Sequence, residues 1–319
     1  MTITMTKFKK IIKILTNYRL FLLYLENTGL YNILSDKIYL KLKYWLITGR
    51  KLNLESPQGF CEKLQWLKLN NRNPLYTKLV DKYEVREYVI NIIGKQYLVP
   101  LLGVWSSPED IDFEKLPNKF VLKCNHNSGE GMCICYDKSK IDIHEVKRRL
   151  NKAIKKGYYM RNRQWPYKNV ERKIICEKYM NDENILKVSN CNINEGLIDY
   201  KFYCFNGEPK FLYVSCACIE NGTKHDRLSF YNLDWSKAKF YRKDHPEFDA
   251  DNLKPDNLKE MIEVSKKLSK DIPFVRVDLY NINNHIYFSE LTFSPGGGYG
   301  MFYPEEYEIL IGNYIKLDK

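Results

Sequence analysis

Residues 273–296, PFVRVDLYNINNHIYFSELTFSPG, read as two strands of a hairpin near the end of the chain. Side chains two apart on a strand share a face. Arg276 and Asp278 therefore point the same way from the first strand, and Glu290 and Thr292 the same way from the second. A connecting loop with an odd number of residues, Asn283 to His285 for instance, sets Asp278 opposite Glu290 and Arg276 opposite Thr292. Two opposed carboxylates repel unless something neutralises them. A divalent cation does this, and Mg²⁺ takes carboxylate oxygens while sharing its other positions with phosphate and water. The alternative is a solvated face on which each carboxylate pairs with a lysine. Against that stand Phe274, Val275, Val277, Phe288, Leu291 and Phe293, too apolar a set for an exposed hairpin.

A metal between carboxylates implies a phosphate ligand. KCNHNSGEGMC, residues 123–133, places a polar turn with Ser128, Gly129 and Gly131 between two strands. Backbone N–H groups of such a turn can cradle phosphate oxygens, with Lys123 adding a point charge. An ordinary hairpin loop has the same composition, and the pattern is not the Walker motif. His126 reads as a bystander there. Lys82 and Arg86 lie four apart on an expected helix face, and CEKYM ends a buried strand with Glu177.

Around these segments the chain alternates. Residues 75–94 have helical period up to Gly94, 97–105 read as a short strand, and 142–157 as a helix with an acidic start and a basic end. A hairpin turns at Asn206-Gly207, a polar stretch covers 219–257, and a helix follows at 258–270. This is an α+β pattern with antiparallel sheets, not a doubly wound parallel fold.

The 319 residues suit about two domains, and 44% apolar residues suffice for a core. Fifty-one Lys and Arg against 39 Asp and Glu give +12, which favours anionic partners. Nine cysteines with no secretory leader point to a cytoplasmic chain with reduced thiols. The pairs Cys133/Cys135 and Cys216/Cys218 have the wrong spacing for zinc and read as buried. In residues 1–50, Phe8, Ile11, Ile12, Ile14, Leu15 and Leu20 recur at helical spacing, and Lys13 and Arg19 interrupt the apolar run before it could span a bilayer. That segment reads as a cap on the main body or as a basic helix on the inner face of an anionic membrane.

Taken in order, these signals resemble the ATP-grasp superfamily and, more closely, its TupA-like family, named for teichuronopeptide synthesis. The matching stretches are FCEKLQWLKLNNRNPLYTKLVDKYEVREYV, YLVPLLGVW, LPNKFVLKCNH, DYKFYCFNGEPKF and the 273–296 hairpin, within roughly residues 50–319. The resemblance implies two α+β subdomains clasping ATP, preceded by a helical segment. It divides the chain into 1–55, 56–114, a lid subdomain at 115–181 and a metal-bearing subdomain at 182–319. It implies that Lys82, Lys123 and the Ser128, Gly129 and Gly131 turn contact nucleotide phosphates. Glu177, Lys178, Tyr179 and Met180 would line the adenine and ribose pocket, and Asp278 and Glu290 would hold Mg²⁺. Thr292 stands where many relatives have Asn, which weakens it as a third ligand. Asp199 and Lys201 resemble the Asp-x-Arg step of peptide-forming ligases, a phosphate or acyl-phosphate contact, and Arg276 would hold the acceptor carboxylate or a developing oxyanion.

The implied reaction is ATP-driven activation of a carboxylate to an acyl phosphate, followed by attack of an amine. The implied partners are a small amine or amino acid and an acidic, lipid-linked glycan acceptor, with a peripheral membrane contact through the N-terminal helix and no nucleic acid. The other enzyme class considered is a nucleotide-sugar glycosyltransferase, whose Asp-x-Asp motif would have to be Asp249 and Asp251. A nucleic-acid binder would use the charge and the 25 Tyr, but no recognised binding signature is present.

Overall fold

The structure is a computed structural model describing residues 17–181, 197–220 and 223–317. Its helices are α1 (Tyr18–Leu25), α2 (Asp36–Thr48), α3 (Phe60–Asn70), α4 (Leu75–Val80), α5 (Val85–Ile92), α6 (Ile143–Ile154), α7 (Leu258–Leu268) and α8 (Glu305–Gly312). The strands form two antiparallel sheets.

The smaller sheet has the order β1 (Leu101–Trp105), β4 (Ile174–Lys178), β2 (Phe120–Cys124) and β3 (Cys133–Cys135). Alternation decides its faces. Phe120, Leu122, Cys124, Cys133 and Cys135 pack on Val146, Leu150 and Ala153 of α6. Asp142 caps that helix by accepting from the Glu145 amide at 3.0 Å, as its acidic start suggests. Val121, Lys123 and Ile134 face the other way, toward the larger sheet. The sequence set residues 56–114 ahead of the lid, yet β1 is hydrogen-bonded to β4 within the lid sheet.

The larger sheet has the order β7 (Thr223–Asn232), β6 (Glu208–Glu220), β5 (Asp199–Phe205), β8 (Phe274–Ile282) and β9 (His285–Thr292). One face carries Phe202, Cys204, Val275, Val277 and Leu279 onto Met261, Val264 and Leu268 of α7 and onto Val85 and Val89 of α5. The opposite face is divided along its length. At one end Tyr203, Phe205, Phe211, Phe230 and Phe274 join Tyr39, Phe60, Leu64 and Phe302 in an aromatic core. Each such ring taken out of water contributes about 2 kcal/mol. At the other end the same strands carry Asp199, Lys201, Arg276 and Asp278. The aromatic half fixes the sheet on the N-terminal helices and leaves the polar half to the cleft.

Several expectations need correction. The helix expected over 75–94 is two helices, broken at Asp81–Glu84, because the Asp81 carboxylate accepts from the Tyr83 and Glu84 amides at 2.8 and 3.3 Å and starts α5 afresh. Lys82 therefore sits in a turn, not on a helix face. The polar stretch 219–257 contains β7, an edge strand, and edges carry charge that keeps them from pairing further. The β8–β9 loop holds two residues, Asn283 and Asn284, both with positive φ, rather than an odd number. The expected pairing arises instead from a bulge at Ser289, where the register passes from Leu279↔Phe288 to Asp278↔Glu290. The Asn206-Gly207 turn is where the sequence placed it. Phe8, Ile11, Ile12, Ile14 and Leu15 lie outside the described residues, whereas α2 does cap the body through Tyr39, Leu40 and Tyr44. Cys133, Cys135 and Cys216 are buried, and the side chain of Cys218 lies outside the described residues.

Candidate active site

The strand registers lay one row of side chains across the polar half of the sheet. Tyr213 of β6 lies opposite Lys201 of β5, Lys201 opposite Asp278 of β8, and Asp278 opposite Glu290 of β9. Asp278 is wholly buried. Its Oδ1 accepts from Arg276 Nε at 2.6 Å, and its Oδ2 from Arg276 Nη2 at 2.5 Å and Lys201 Nζ at 2.8 Å. Lys201 also lies 3.1 Å from Asp199. Glu290 pairs with Lys82 at 3.3 Å and Arg276 at 3.5 Å, and accepts from the Thr292 hydroxyl at 3.2 Å. Arg276 also donates to Thr292 Oγ1 and to the Tyr213 hydroxyl, both at 3.0 Å. Lys82, Lys201 and Arg276 thus neutralise the carboxylates whose repulsion the sequence had assigned to a metal.

The ionisation of the row follows from these contacts. Burial would raise the Glu290 carboxyl, but Lys82, Lys201 and Arg276 outweigh it and hold the group at about 2. Burial works against a charged Lys201 too, yet Asp199 and Asp278 keep its ammonium well above the usual lysine range. Burial pushes Asp199 up against the pull of Lys201, with Asp278 adding to the rise.

Two cavities of about 400 Å³ flank the row. The first lies between the sheets. Val121, Met132, Ile134, Met180 and Leu197 give it an apolar wall, and Lys123, Glu177, Asp199, Lys201 and Tyr213 a polar one. Lys178 and Tyr179 line it as well. Glu177 is held by Lys123 at 2.6 Å and Arg86 at 3.5 Å. A cavity with an apolar wall and lysines on its polar wall suits a purine base with its phosphates. The second cavity is reached by Arg276, Glu290, Thr292 and Ser128. Lys82 links the lid to the row, since its Nζ donates to the Asn127 carbonyl at 2.8 Å and pairs with Glu290. In the lid turn, Gly131 has φ +77°, and a Cβ there would lie 2.6 Å from that of Ala153, so this glycine lets α6 approach. A Cβ on Gly129 would meet open space.

A model of the TupA-like ATP-grasp family matches residues 62–316. The chain belongs to that family. This TupA-like protein is accordingly an ATP-dependent ligase of the ATP-grasp type. Similar solved structures include the D-alanine–D-alanine ligase of Bacillus anthracis, at 15% identity over 74% of this chain and 67% of that one, TM-score 0.40. The D-alanine–D-alanine ligase of Helicobacter pylori is similar at 14% identity over 82% and 70%, TM-score 0.40. The ATP-grasp ligase PsnB, complexed with a phosphomimetic variant of its minimal precursor, Mg and ADP, is similar at 8% identity over 77% and 59%, TM-score 0.39. The chain thus spans less than two thirds of PsnB. No curated protein matches the chain.

Enzymes of this family use ATP with Mg²⁺. The TupA-like chain offers the ion hard oxygen donors, Asp278, Glu290 and the Thr292 hydroxyl, the donor type that Mg²⁺ takes. Glu290 and Thr292 open onto the second cavity, whereas Asp278 is engaged at both oxygens. Among the described residues no group of three or more Asp, Glu, His or Cys side chains gathers for a metal.

The sequence reading missed Met132, Ile134 and Tyr136, although Cys133 and Cys135 facing the core already sent their neighbours into the cleft. It also missed Tyr213, Tyr280 and the 158–167 segment, for which no periodic signal exists. Asp249 and Asp251, the pair on which the transferase reading stood, serve a local turn: Asp249 accepts from the Asp251 amide at 2.9 Å, and Asp251 from the Tyr231 hydroxyl at 2.7 Å.

Proposed function

We propose that the protein uses ATP to join an amino acid or amine to a uronic acid of a cell-surface polysaccharide. A carboxylate oxygen attacks the γ-phosphorus of ATP and ADP leaves. The amine then attacks the acyl carbon, inorganic phosphate leaves and the amine gives up a proton. The observation that carries this reading is the row Tyr213–Lys201–Asp278–Glu290, with a part-apolar cavity on one side and Arg276 facing another. Such chemistry asks for positioning and charge compensation rather than a protein nucleophile.

In this reading Lys123 and Lys201 face the phosphates in the first cavity. Glu290 and the Thr292 hydroxyl, which open onto the second cavity, would hold Mg²⁺, which when bound draws charge from the phosphates, whereas Asp278 is committed to Arg276 and Lys201. Asp278 also clamps the Arg276 guanidinium through two hydrogen bonds, with Thr292 and the Tyr213 hydroxyl taking two more, so that the one N–H left needs no reorganisation when an acyl oxyanion forms. Lys82 ties the Asn127 carbonyl to the row, and this couples lid position to the carboxylates.

The formal charge of +12 supports an acidic glycan acceptor. Among the described residues no helix is long and apolar enough to cross a membrane. Exposed Tyr18, Phe21 and Tyr24 on α1, with exposed Lys37, Lys41 and Lys51, support docking on the anionic inner face of a membrane. Equal co-sedimentation with anionic and neutral vesicles would remove that part. The reaction itself is tested by screening amines against hexuronic acids for release of ADP. UDP-sugar stabilising the protein where Mg·ATP does not would instead favour a glycosyltransferase.

A further inference from the structure

Helix α3 carries a buried cation that no carboxylate balances. Lys68 is 4% exposed, and among the described residues it pairs with no Asp or Glu. Its Nζ donates instead to three neutral oxygens: the Gly297 carbonyl at 2.5 Å, Gln65 Oε1 at 2.8 Å and the Asn162 carbonyl at 3.0 Å. The centre of the Tyr299 ring lies 4.9 Å away. Burial lowers the Lys68 pKa, Lys43 adds to the fall and Cys61 opposes it. Three acceptors match the three N–H groups of an ammonium, one more than a neutral amine offers. A buried charge costs stability that an apolar side chain on this face would avoid. Its presence asks for something that packing alone does not supply.

The ammonium joins two segments that lie outside any strand or α-helix. One is the turn after β9, where Gly296, Gly297 and Gly298 hold successive φ values of 58°, 69° and 77°. The other is the wall at 158–167, where Asn162 and Arg163 hold 69° and 50°. For residues other than glycine such a backbone persists only where the surroundings impose it. Gln65 is three residues before Lys68 on the same helix face, and its Nε2 donates to the Gly298 carbonyl at 2.6 Å. A Cβ on Gly298 would fall 2.7 Å from that nitrogen, and one on Gly297 2.6 Å from the Asn162 side chain. Glycine thus lets helix, turn and wall meet. Asn162, Gly296 and Gly297 line the second cavity with Arg276 and Glu290, whereas Gln65 and Lys68 stand behind that lining.

We propose that Lys68 and Gln65 are positioning residues, a two-point clamp that sets the glycine turn against the 158–167 wall and so fixes the second cavity beside the charged row. Its effect on turnover rests on the ligase reading above.

Two substitutions in the full chain test the clamp. Lys68→Met keeps the apolar stem without the donors. Gln65→Glu keeps the shape, gives Lys68 a counter-ion and sets a carboxylate oxygen against the Gly298 carbonyl. ADP release from Mg·ATP is followed with glucuronate or galacturonate as the acid and hydroxylamine, which traps acyl phosphates, as the amine. The kcat should fall about hundredfold in Lys68→Met and about tenfold in Gln65→Glu, with KM for ATP unchanged. Gln65→Glu should melt no lower than the wild type, so lost stability does not account for its fall. The Gly297 and Tyr299 amides donate to the Ser294 and Gly296 carbonyls at 2.9 and 3.4 Å, and their hydrogen exchange should quicken about tenfold in both variants. Should Lys68→Met not fold, Gln65→Glu carries the test alone. Wild-type kcat in Gln65→Glu, or ATP affinity and kcat lost in parallel, would overturn the proposal. A wild type that releases no ADP counts against the ligase reading, and the exchange rates then decide the clamp, which unchanged rates would overturn.

Discussion

Glu290 carries its charge because Lys82, Lys201 and Arg276 surround it, and that has a consequence in acid. Its folded value of about 2 lies below its ordinary 4.5. The group therefore contributes stability that is fully present above 4.5 and is lost as pH falls toward 2. Melting temperatures of the wild type should fall more steeply across that window than those of Glu290→Gln, and parallel profiles would contradict the ion-pair account. Asp278 is more demanding, since Asp278→Asn leaves Arg276 and Lys201 buried without their shared anion. We expect a loss of about 3–5 kcal/mol, read by urea unfolding, rather than any relief of repulsion. The opposition of Asp278 and Glu290 was legible in the sequence because strand alternation is local. Their neutralisation was not, because Lys82 and Lys201 arrive from a turn and a strand far away in the chain.

At the scale of elements, the lid turn separates two kinds of glycine. Gly131→Ala places a methyl 2.6 Å from Ala153 and 3.1 Å from the Arg149 carbonyl, whereas Gly129→Ala meets only its unfavourable φ. Thermal unfolding should show Gly131→Ala costing about 2 kcal/mol or more and Gly129→Ala about 1. Equal costs would mean that α6 does not press on the turn as described. The same locality explains which elements the sequence revealed. The Asn206-Gly207 hairpin and α6 announce themselves through turn chemistry and helical period. The break at Asp81 was signalled only by one capping carboxylate within a continuous apolar period. β7 was hidden because its opening residues are charged, and it runs along the edge of the sheet. The wall at 158–167 has no period at all, being held by contacts from α2 and α3.

Over the whole molecule, two sheets face one another across a cleft, with the charged row on one side and Lys123 on the other. Nucleotide bridging them should slow hydrogen exchange in residues 122–136, and exchange indifferent to Mg·ATP would argue against the phosphate-cradle role of the lid. In the proposed reaction a carboxylate is activated by phosphorylation. A hexuronic acid labelled with oxygen-18 in its carboxylate, incubated with ATP, Mg²⁺ and the amine found by the ADP screen, tests it directly. ADP and amide should form in equal amounts, with one labelled oxygen in the released phosphate. Pyrophosphate with the label in AMP, or phosphate free of label, would contradict it.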